Sequence, residues 1–302
     1  MSNTKAWLQA ARLRTLPLSV SGILVGSFYA FSKSEGNFNW CILAFALATT
    51  LGLQILSNFA NDYGDGVKGT DNEHRIGPQR AIQSGAITVQ AMKKGIIITS
   101  ILTLIAAIVL IYVSFGRDNF GYSVFFFALG LAAIAAAIKY TVGNSAYGYR
   151  GLGDLFVFIF FGLVSVLGCY FLFARQIDGY IVLPAISVGL LSVAVLNLNN
   201  MRDVVSDAMS GKNTLVVKMG AKRAKIYHYL IIGTALALML SFAMLNNFRP
   251  LQYVFLIAYL PFLIHLRTVA KNTVPRDLDP ELKKVALGTF FLSVLLCIAM
   301  QL

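Results

Sequence analysis

Long apolar blocks dominate this 302-residue chain and limit the folds that it can adopt. Each block is roughly 16 to 22 residues long, the length that a helix needs to cross a bilayer. Lipid offers backbone amides no partner outside the segment, so the blocks are expected to be helical. The sequence therefore predicts an all-α polytopic membrane protein, with about nine transmembrane helices bundled in a single domain over 1–302. The predicted spans lie near 15–32, 40–60, 95–115, 120–138, 152–173, 180–200, 226–245, 251–266 and 285–302.

The composition agrees with a membrane protein, since 57% of the residues are hydrophobic and only 13% are charged. A soluble domain usually carries about 25% charged residues. A membrane β-barrel is a poor alternative, because barrel strands alternate polar and apolar residues and these blocks are continuously apolar.

The net charge of +12 is distributed unevenly between the two sides of the predicted bundle. Under the nine-span prediction, 21 of the 25 Lys and Arg residues lie at the N-terminus or in the even-numbered connections, which share one side. Basic loops face the cytoplasm in most membrane proteins. We therefore expect a cytoplasmic N-terminus, and the charge excess does not indicate nucleic acid as a partner.

Two long connections on this side begin with similar acidic motifs. The first motif reads NFANDYGD over 58–65 and follows the second span, and the second reads NNMRDVVSD over 199–207 and follows the sixth span. Long loops in compact proteins usually carry function. The four-helix offset suggests that helices 5–8 repeat helices 1–4, with helix 9 added, and related halves often meet at a central site.

The oxygen-bearing side chains of each motif are spaced so that they would share a helix face if each span continued by one turn. Carboxylate and amide oxygens suit Mg²⁺, which keeps coordination positions open for water and substrate phosphates. Two such clusters facing each other would hold a diphosphate between metal ions. The residues concerned are Asn58, Asp62 and Asp65 in the first motif and Asn200, Asp203 and Asp207 in the second.

Basic residues accompany both motifs, with Lys68, Arg75 and Arg80 after the first and Arg202 and Lys212 in or after the second. Such cations beside metal-binding carboxylates suit a polyanionic substrate. The positive-inside rule would explain the same residues without any ligand. Tyr63, Tyr140, Tyr147 and Tyr149 lie near the same face, where tyrosine either contacts a cation or anchors a helix at the interface.

At these residues the chain resembles the UbiA superfamily of intramembrane aromatic prenyltransferases. Members carry Asn-Asp-x-x-Asp after the second helix and Asp-x-x-x-Asp after the sixth, and many place a further Asp where this chain has Gly69. The finer pattern is most similar to the branch that prenylates 1,4-dihydroxy-2-naphthoate in menaquinone synthesis. The segments that carry the resemblance are 12–17, 61–71, 75–80, 149–154, 199–203 and 211–215.

The resemblance implies transfer of a polyprenyl group from polyprenyl diphosphate to 1,4-dihydroxy-2-naphthoate, with decarboxylation to a demethylmenaquinol and with Mg²⁺ as cofactor. It also implies a bacterial inner (plasma) membrane, with the lipid bilayer around the protein and the active site facing the cytoplasm. The implied catalytic and metal-binding residues are Asp62, Asp65, Asp203 and Asp207, with Asn58, Asn61 and a candidate Asp71 as further ligands. The implied diphosphate contacts are Arg14, Lys68, Arg202 and Lys212, and the candidate acceptor contacts are Tyr149, Arg150 and Asp154.

Three other functions are compared with the same sequence features. A related enzyme would use hydroxybenzoate, homogentisate or a porphyrin as acceptor. A secondary transporter would place ionisable residues or broken helices near mid-membrane, where Pro261 and His265 are the nearest features. A CDP-alcohol phosphotransferase also uses paired Asp-x-x-x-Asp groups, but its Asp-Gly-x-x-Ala-Arg lead-in is absent from this sequence.

Overall fold

The computed structural model describes residues 3–34, 36–71 and 76–302, so the first residue of the segment 75–80 lies outside the described residues. The described residues form helices and connecting turns, without a β-strand among them. Nine helices in these residues are long and apolar enough to cross a membrane, which confirms the predicted fold class. Spans 1 to 9 are Thr4–Ser32, Trp40–Lys68, Val89–Phe115, Phe120–Lys139, Gly153–Ala174, Gly179–Arg202, Ala221–Leu245, Pro250–Lys271 and Pro275–Ala299.

Several spans are composite. Span 1 breaks at Arg12, whose backbone is left-handed with φ 51°, and span 5 is wound as a π-helix over Phe158–Gly168. Within the described residues, the helical segments are Asn3–Ala11, Leu13–Thr15, Leu16–Ser32, Trp40–Lys68, Val89–Phe115, Phe120–Lys139, Tyr147–Arg150, Gly153–Val157, Phe158–Gly168, Cys169–Ala174, Gly179–Ile181, Val182–Arg202, Val204–Met209, Leu215–Met219, Ala221–Leu245, Pro250–Ala258, Tyr259–Lys271, Pro275–Leu278 and Asp279–Ala299.

Span 2 is longer than predicted. The sequence placed its end near residue 60, but the helix continues to Lys68, about two further turns. It ends at Gly69, whose φ of 73° is the left-handed conformation that glycine adopts readily. The prediction that a loop begins at residue 61 is therefore wrong, and the whole first motif lies on a helix.

The described residues form three core clusters, and the smallest of these joins spans 1, 2, 3 and 5. The largest core cluster joins spans 1 and 5 to 9, and a second cluster joins the N-terminal helix to spans 2 and 3. Glycines permit the closest helix contacts: a Cβ on Gly26 would lie 2.4 Å from the Val166 carbonyl oxygen, and one on Gly162 would lie 2.6 Å from Gly189 Cα. Small residues at such crossings are how membrane helices approach one another. The predicted repeat of helices 1–4 in helices 5–8 stays a prediction.

Candidate active site

A cavity of about 1260 Å³ lies inside the helix bundle, lined by residues of spans 1 to 6 and 9. One end, here called the motif face, is lined by Asn58, Asp62 and Arg202, and the other end is lined by Ala46 and Leu172. Asp62 and Ala46 are sixteen residues apart on one helix, about 24 Å along its axis. The cavity is larger than the roughly 300–1,000 Å³ of most small-molecule sites. It suits an elongated ligand with a polar head and an apolar tail.

The first motif presents three buried polar side chains on one face of span 2, as the i, i+4, i+7 spacing predicted. Asn58 donates a hydrogen bond to the Ala11 carbonyl at 2.9 Å, which ties span 2 to the break in span 1. Asp62 accepts hydrogen bonds from the backbone N–H groups of Ala81 at 3.1 Å and Ile82 at 3.2 Å. The carboxylate of Asp62 therefore anchors the connection between spans 2 and 3.

Asp65 contacts two further segments of the motif face, those that carry Tyr149 and Arg80. The Tyr149 hydroxyl donates to Asp65 Oδ1 at 2.8 Å, and burial raises the pKa of Tyr149, which keeps this hydroxyl protonated. The Arg80 guanidinium lies 3.9 Å from Asp65 and 3.6 Å from Asp71. Among the described residues, Nε and Nη1 of Arg80 have no hydrogen-bond partner although they are buried. These donors leave Arg80 with capacity for an anionic ligand.

Gly64 allows the connection between spans 4 and 5 to approach the first motif. A Cβ at this position would lie 2.5 Å from Thr141 Oγ1 and 2.8 Å from the Thr141 carbonyl carbon. The Thr141 hydroxyl donates to the Ala60 carbonyl at 2.9 Å and lies 3.2 Å from Asn61 Oδ1. This contact places the segment that carries Tyr149 against span 2.

The second motif is held by ion pairs. Arg202 is buried and grips Asp203 with two nitrogen atoms, at 2.8 and 2.6 Å. Lys212 lies 3.7 Å from Asp207 Oδ1. Arg202 and Lys212 line the cavity, whereas Asp203 and Asp207 are not among the described residues that do so.

Lys212 and Tyr149 connect the two motifs. The Lys212 ammonium lies 5.5 Å from the centre of the Tyr149 ring, and the Tyr149 hydroxyl reaches Asp65. Burial lowers the pKa of Lys212, but Asp65 and Asp207 raise it more, so the net shift is upward and the ammonium stays charged. Burial raises the pKa of Asp207 to about 6 despite the opposing effect of Lys212. The two motifs therefore meet at one end of one cavity, where the first contributes Asp62 and Asp65 to the wall and the second contributes Asn199 and Arg202.

The donor atoms fit a hard cation with substrate oxygens as further ligands. No group of three or more His, Cys, Asp and Glu residues converges as a metal cage within the described part of the chain. Asn200 Oδ1 and Asp207 Oδ2 are buried, and no described residue hydrogen-bonds to either oxygen. Mg²⁺ commonly takes only one or two carboxylates and completes its shell with water and phosphate. The site fits that pattern and not a closed protein cage.

Some predicted site residues lie away from the cavity. Lys68 is exposed and its ammonium lies 3.9 Å from the Tyr149 ring centre, outside the cavity wall. Arg150 is exposed, and its carbonyl accepts a hydrogen bond from Lys218. Asp154 is buried and accepts from the Tyr227 hydroxyl at 3.1 Å, which ties span 5 to span 7. Arg14, in contrast, lines the cavity.

An aromatic wall lies beside the polar end of the cavity. Tyr140 and Tyr147 line it, and Phe156 stacks on Tyr147 with ring centres 3.9 Å apart. The π-helical part of span 5 adds Phe160 and Phe161. Burial raises the pKa of Tyr140 to about 12, so its hydroxyl is neutral. Ring faces in this position can stabilise a cation by their quadrupole.

Comparison with known proteins assigns this architecture to a family. A family model described as the UbiA prenyltransferase family matches residues 19–298. The chain belongs to the UbiA prenyltransferase family. This confirms the resemblance drawn from the two motifs, and it separates the chain from the transporter and CDP-alcohol phosphotransferase alternatives.

Relatives within the UbiA family cover nearly the whole chain. The 1,4-dihydroxy-2-naphthoate octaprenyltransferase of Haemophilus influenzae is 41% identical over 96% of this chain and 94% of that protein. The enzyme of the same name from Escherichia coli is 41% identical over 98% of this chain and 94% of its own length. A solved structure of digeranylgeranylglyceryl phosphate synthase matches with a TM-score of 0.59 and 17% identity, and it covers 100% of both chains. At that identity the match shows a shared fold.

The structure adds Asp279 and Asn199 to the residues of this UbiA family site that were predicted from the sequence. Asp279, at the start of the last long helix, accepts a hydrogen bond from Arg202 at 2.6 Å. Asn199 accepts from the same guanidinium at 2.8 Å. Asn199 could have been found from its place in the second motif. Asp279 lies 76 residues after Asp203, and only the folding of span 9 against span 6 brings it to the site.

Proposed function

We propose that this protein transfers a polyprenyl group from polyprenyl diphosphate to 1,4-dihydroxy-2-naphthoate, with release of CO₂, to form a demethylmenaquinol of menaquinone biosynthesis. The observation that carries the proposal is the meeting of both acidic motifs, with their cations, at the polar end of a long cavity. The names of the two relatives at 41% identity support this acceptor.

The charge of the cavity wall favours a polyanionic head group. Among the described residues that line it, seven are basic and three are acidic. Guanidinium groups bind phosphate oxygens in pairs, and converging cations raise the local concentration of an anion. The basic residues are Lys5, Arg12, Arg14, Arg80, Arg202, Lys212 and Lys283, and the acidic ones are Asp62, Asp65 and Asp279.

We propose Mg²⁺ as the cofactor. Asp62 and Asp65 would hold one ion together with Asn58 or Asn61, and Asp203 and Asp207 would hold another. The unpartnered oxygens of Asn200 and Asp207, counted among the described residues, support the second site. When bound, Mg²⁺ neutralises charge that develops on the departing diphosphate.

The first step breaks the bond between the allylic carbon and the diphosphate oxygen, and the diphosphate keeps the electron pair. Arg80 and Lys212 are poised to stabilise the departing oxygens, because both lie at the cavity wall, Lys212 is buried, and Nε and Nη1 of Arg80 are buried. Preorganised charges of this kind lower a barrier without reorganising during the reaction. Tyr140, Tyr147 and Phe156 would face the allylic cation.

The second step forms a carbon–carbon bond at the ring carbon that bears the carboxylate. Loss of CO₂ returns the electron pair of the broken bond to the ring and restores aromaticity. Because CO₂ and not a proton leaves that carbon, this step needs no general base there. Tyr140, whose pKa is raised to about 12, would not act as one. The polyprenyl tail would occupy the apolar part of the cavity between the helices.

We further propose that the motif face is cytoplasmic and that the membrane is a bacterial inner membrane. The positive-inside rule supports the orientation, because most of the Lys and Arg residues belong to the N-terminus and the even-numbered connections.

The proposal is tested with purified protein, a polyprenyl diphosphate and 1,4-dihydroxy-2-naphthoate labelled in its carboxylate. We expect prenylated product and released CO₂ in equal amounts, and only when Mg²⁺ is present. Asp62→Asn and Asp203→Asn should abolish both while the protein stays folded. Asp118→Asn serves as a matched control, because Asp118 is exposed in the connection between spans 3 and 4, away from the motifs.

Two results would contradict the proposal. Full activity of Asp62→Asn or Asp203→Asn with Mg²⁺ would reject the metal roles. Prenylation of hydroxybenzoate, homogentisate or a porphyrin derivative in place of the naphthoate would reject the acceptor.

A further inference from the structure

All three guanidinium nitrogen atoms of Arg202 donate hydrogen bonds to other side chains. Its Nε and Nη2 atoms bind the two oxygens of Asp203 at 2.8 and 2.6 Å. Its Nη2 atom also donates to Asn199 Oδ1 at 2.8 Å, and its Nη1 atom donates to Asp279 Oδ1 at 2.6 Å. Arg202 is only 2% exposed. A guanidinium with these partners has little freedom to turn towards a substrate.

Asp279 lies near the start of span 9, and its side chain is 40% exposed. It is the first residue of the helix Asp279–Ala299, and Pro280 follows it. Glu281, one residue further, is buried and accepts from His265 Nδ1 at 2.6 Å. His265 Nε2 lies 2.8 Å from His228 Nε2, so this polar chain ties span 9 to spans 8 and 7. The start of span 9 is therefore held in place independently of Arg202.

We infer that Asp279 is a positioning residue for the second metal site: it holds Arg202, and Arg202 in turn fixes the carboxylate of Asp203. The inference rests on the proposed function, in which Asp203 binds Mg²⁺. Groups that hydrogen-bond to metal-ligating carboxylates orient them, and their loss typically weakens metal affinity or activity about 10- to 100-fold.

Two properties of the cluster support this role. The bidentate contact with Arg202 fixes the plane of the Asp203 carboxylate and leaves lone pairs on both of its oxygens for a metal ion. One arginine with two aspartates carries a net charge of −1, whereas Arg202 with Asp203 alone would be neutral. Asp279 therefore keeps the net charge of the site negative, which favours a cation, and keeps the Asp203 carboxylate oriented.

The primary experiment measures Mn²⁺ binding by electron paramagnetic resonance, with purified full-length protein in detergent and no prenyl donor present. We expect Asp279→Asn to bind Mn²⁺ about 10-fold more weakly at one class of site. Asp277→Asn is the matched control: Asp277 is exposed, lies in the same segment and loses the same charge. Its Mn²⁺ affinity should equal that of the wild type.

A second variant separates positioning from general stability. Arg202→Lys keeps the positive charge but loses the bidentate fork, so we expect a similar weakening of Mn²⁺ binding. In the double variant, Asp279→Asn should lower the Mn²⁺ affinity little beyond the loss that Arg202→Lys causes alone. Both changes interrupt the same chain of contacts, so their effects should not add. Thermal unfolding of each variant records whether the fold is intact.

Kinetics provide an independent readout. In Asp279→Asn, the Mg²⁺ concentration for half-maximal activity should rise about 10-fold, and kcat at saturating Mg²⁺ should recover most of its value. Asp279→Glu restores the charge and should recover part of the lost affinity. A purely structural role would lower kcat without a shift in the Mg²⁺ dependence.

The outcomes are distinguishable. If wild-type protein binds Mn²⁺ and Asp203→Asn weakens it, but Asp279→Asn binds as tightly as the wild type or more tightly, the inference is overturned and the proposed function stands. If the wild-type protein binds no Mn²⁺, the metal site of the proposed function fails and the inference fails with it.

Discussion

At the scale of single residues, each carboxylate of the first motif is held by donors from another segment. Asp62 receives two backbone N–H groups, and Asp65 receives the Tyr149 hydroxyl with Arg80 nearby. Buried carboxylates need such partners, because an unpaired buried charge is very unfavourable. The donors also set the direction of the oxygen lone pairs that remain.

Removing the Tyr149 hydroxyl tests this arrangement. Tyr149→Phe deletes the 2.8 Å hydrogen bond to Asp65 and keeps the ring beside Lys68. A hydrogen bond to a charged group contributes about 1.5–3 kcal/mol, so kcat/KM should fall by at least about tenfold. Steady-state kinetics with a water-soluble prenyl diphosphate measure the change.

Tyr180→Phe is the control for this prediction, because Tyr180 is exposed at the start of span 6, at the opposite end from the motif. Equal kcat/KM values for Tyr149→Phe and wild type would show that the hydroxyl does not support Asp65 in the active enzyme.

At the scale of helices and connections, close backbone approach decides the shape of the motif face. Span 2 carries the first motif on an extended helical end, and Gly64 leaves room for Thr141 against that end. The connection between spans 4 and 5 can then deliver Tyr149 to Asp65. A glycine inside a helix is usually unfavourable, so its presence here reflects packing.

Gly64→Ala should therefore disturb both packing and activity. The added Cβ would meet backbone as well as side-chain atoms of Thr141, which cannot move away without shifting the connection. Overpacking of this kind typically costs about 1–3 kcal/mol. Thermal unfolding in detergent should show a lower Tm, and prenyl transfer should decrease.

The matched control is Gly233→Ala, at a helical glycine with no atom within 4 Å of an added Cβ among the described residues. It should leave the Tm unchanged or raise it, because alanine favours helix more than glycine does. Equal Tm values for Gly64→Ala and wild type would contradict the packing argument.

Span 4 offers a test of the apolar cavity as the site of the tail. Gly130 lines the cavity nine residues before Lys139, about 14 Å along the helix from its motif end. Gly130→Phe should obstruct the cavity below the head group. We expect slower reaction with long polyprenyl diphosphates and nearly normal reaction with a two-isoprene donor, measured as kcat/KM for each length.

Gly121→Phe, on the same helix but outside the cavity wall, should leave the preference for donor length unchanged. If Gly130→Phe lowered kcat/KM equally for short and long donors, the variant would have a general defect and not an obstructed site for the tail.

At the scale of the whole molecule, the cavity lies where helices of different core clusters meet, and spans 1 to 6 and 9 all contribute to its wall. Spans 1 and 5 to 9 share one core, and spans 2 and 3 share another with the N-terminal helix. Polar residues gather at one end of the cavity and apolar residues at the other. A substrate with a charged head and a lipid tail matches this polarity along its length.

The chain contains a probe of its own orientation. Cys41 is exposed, whereas Cys169 and Cys297 are buried. Cys41 begins span 2 at the end opposite the first motif, so a cytoplasmic motif face places it outside the cytoplasm. A membrane-impermeant maleimide should label wild-type protein in intact spheroplasts and fail to label Cys41→Ser. Labelling of the wild type only after permeabilisation would contradict the proposed orientation.

The sequence alone was sufficient to predict that this is a membrane protein, to predict the number of spans and to locate the two acidic motifs. Apolar length and helical spacing depend on neighbours along the chain, so Asn58, Asp62 and Asp65 could be placed on one face without a structure. The boundary of span 2 was wrong because the motif itself is polar, and tertiary contacts from Ala81 and Thr141 keep it helical.

Contacts between distant segments required the folded chain. Asp279 and Arg202 are 77 residues apart, and no pattern in either segment points to the other. The placement of Lys68 and Arg150 outside the cavity wall, and of Tyr140 within it, depends on how connections fold over the helix ends. Short-range periodicity determines which residues share a helix face, whereas packing between helices determines which faces meet.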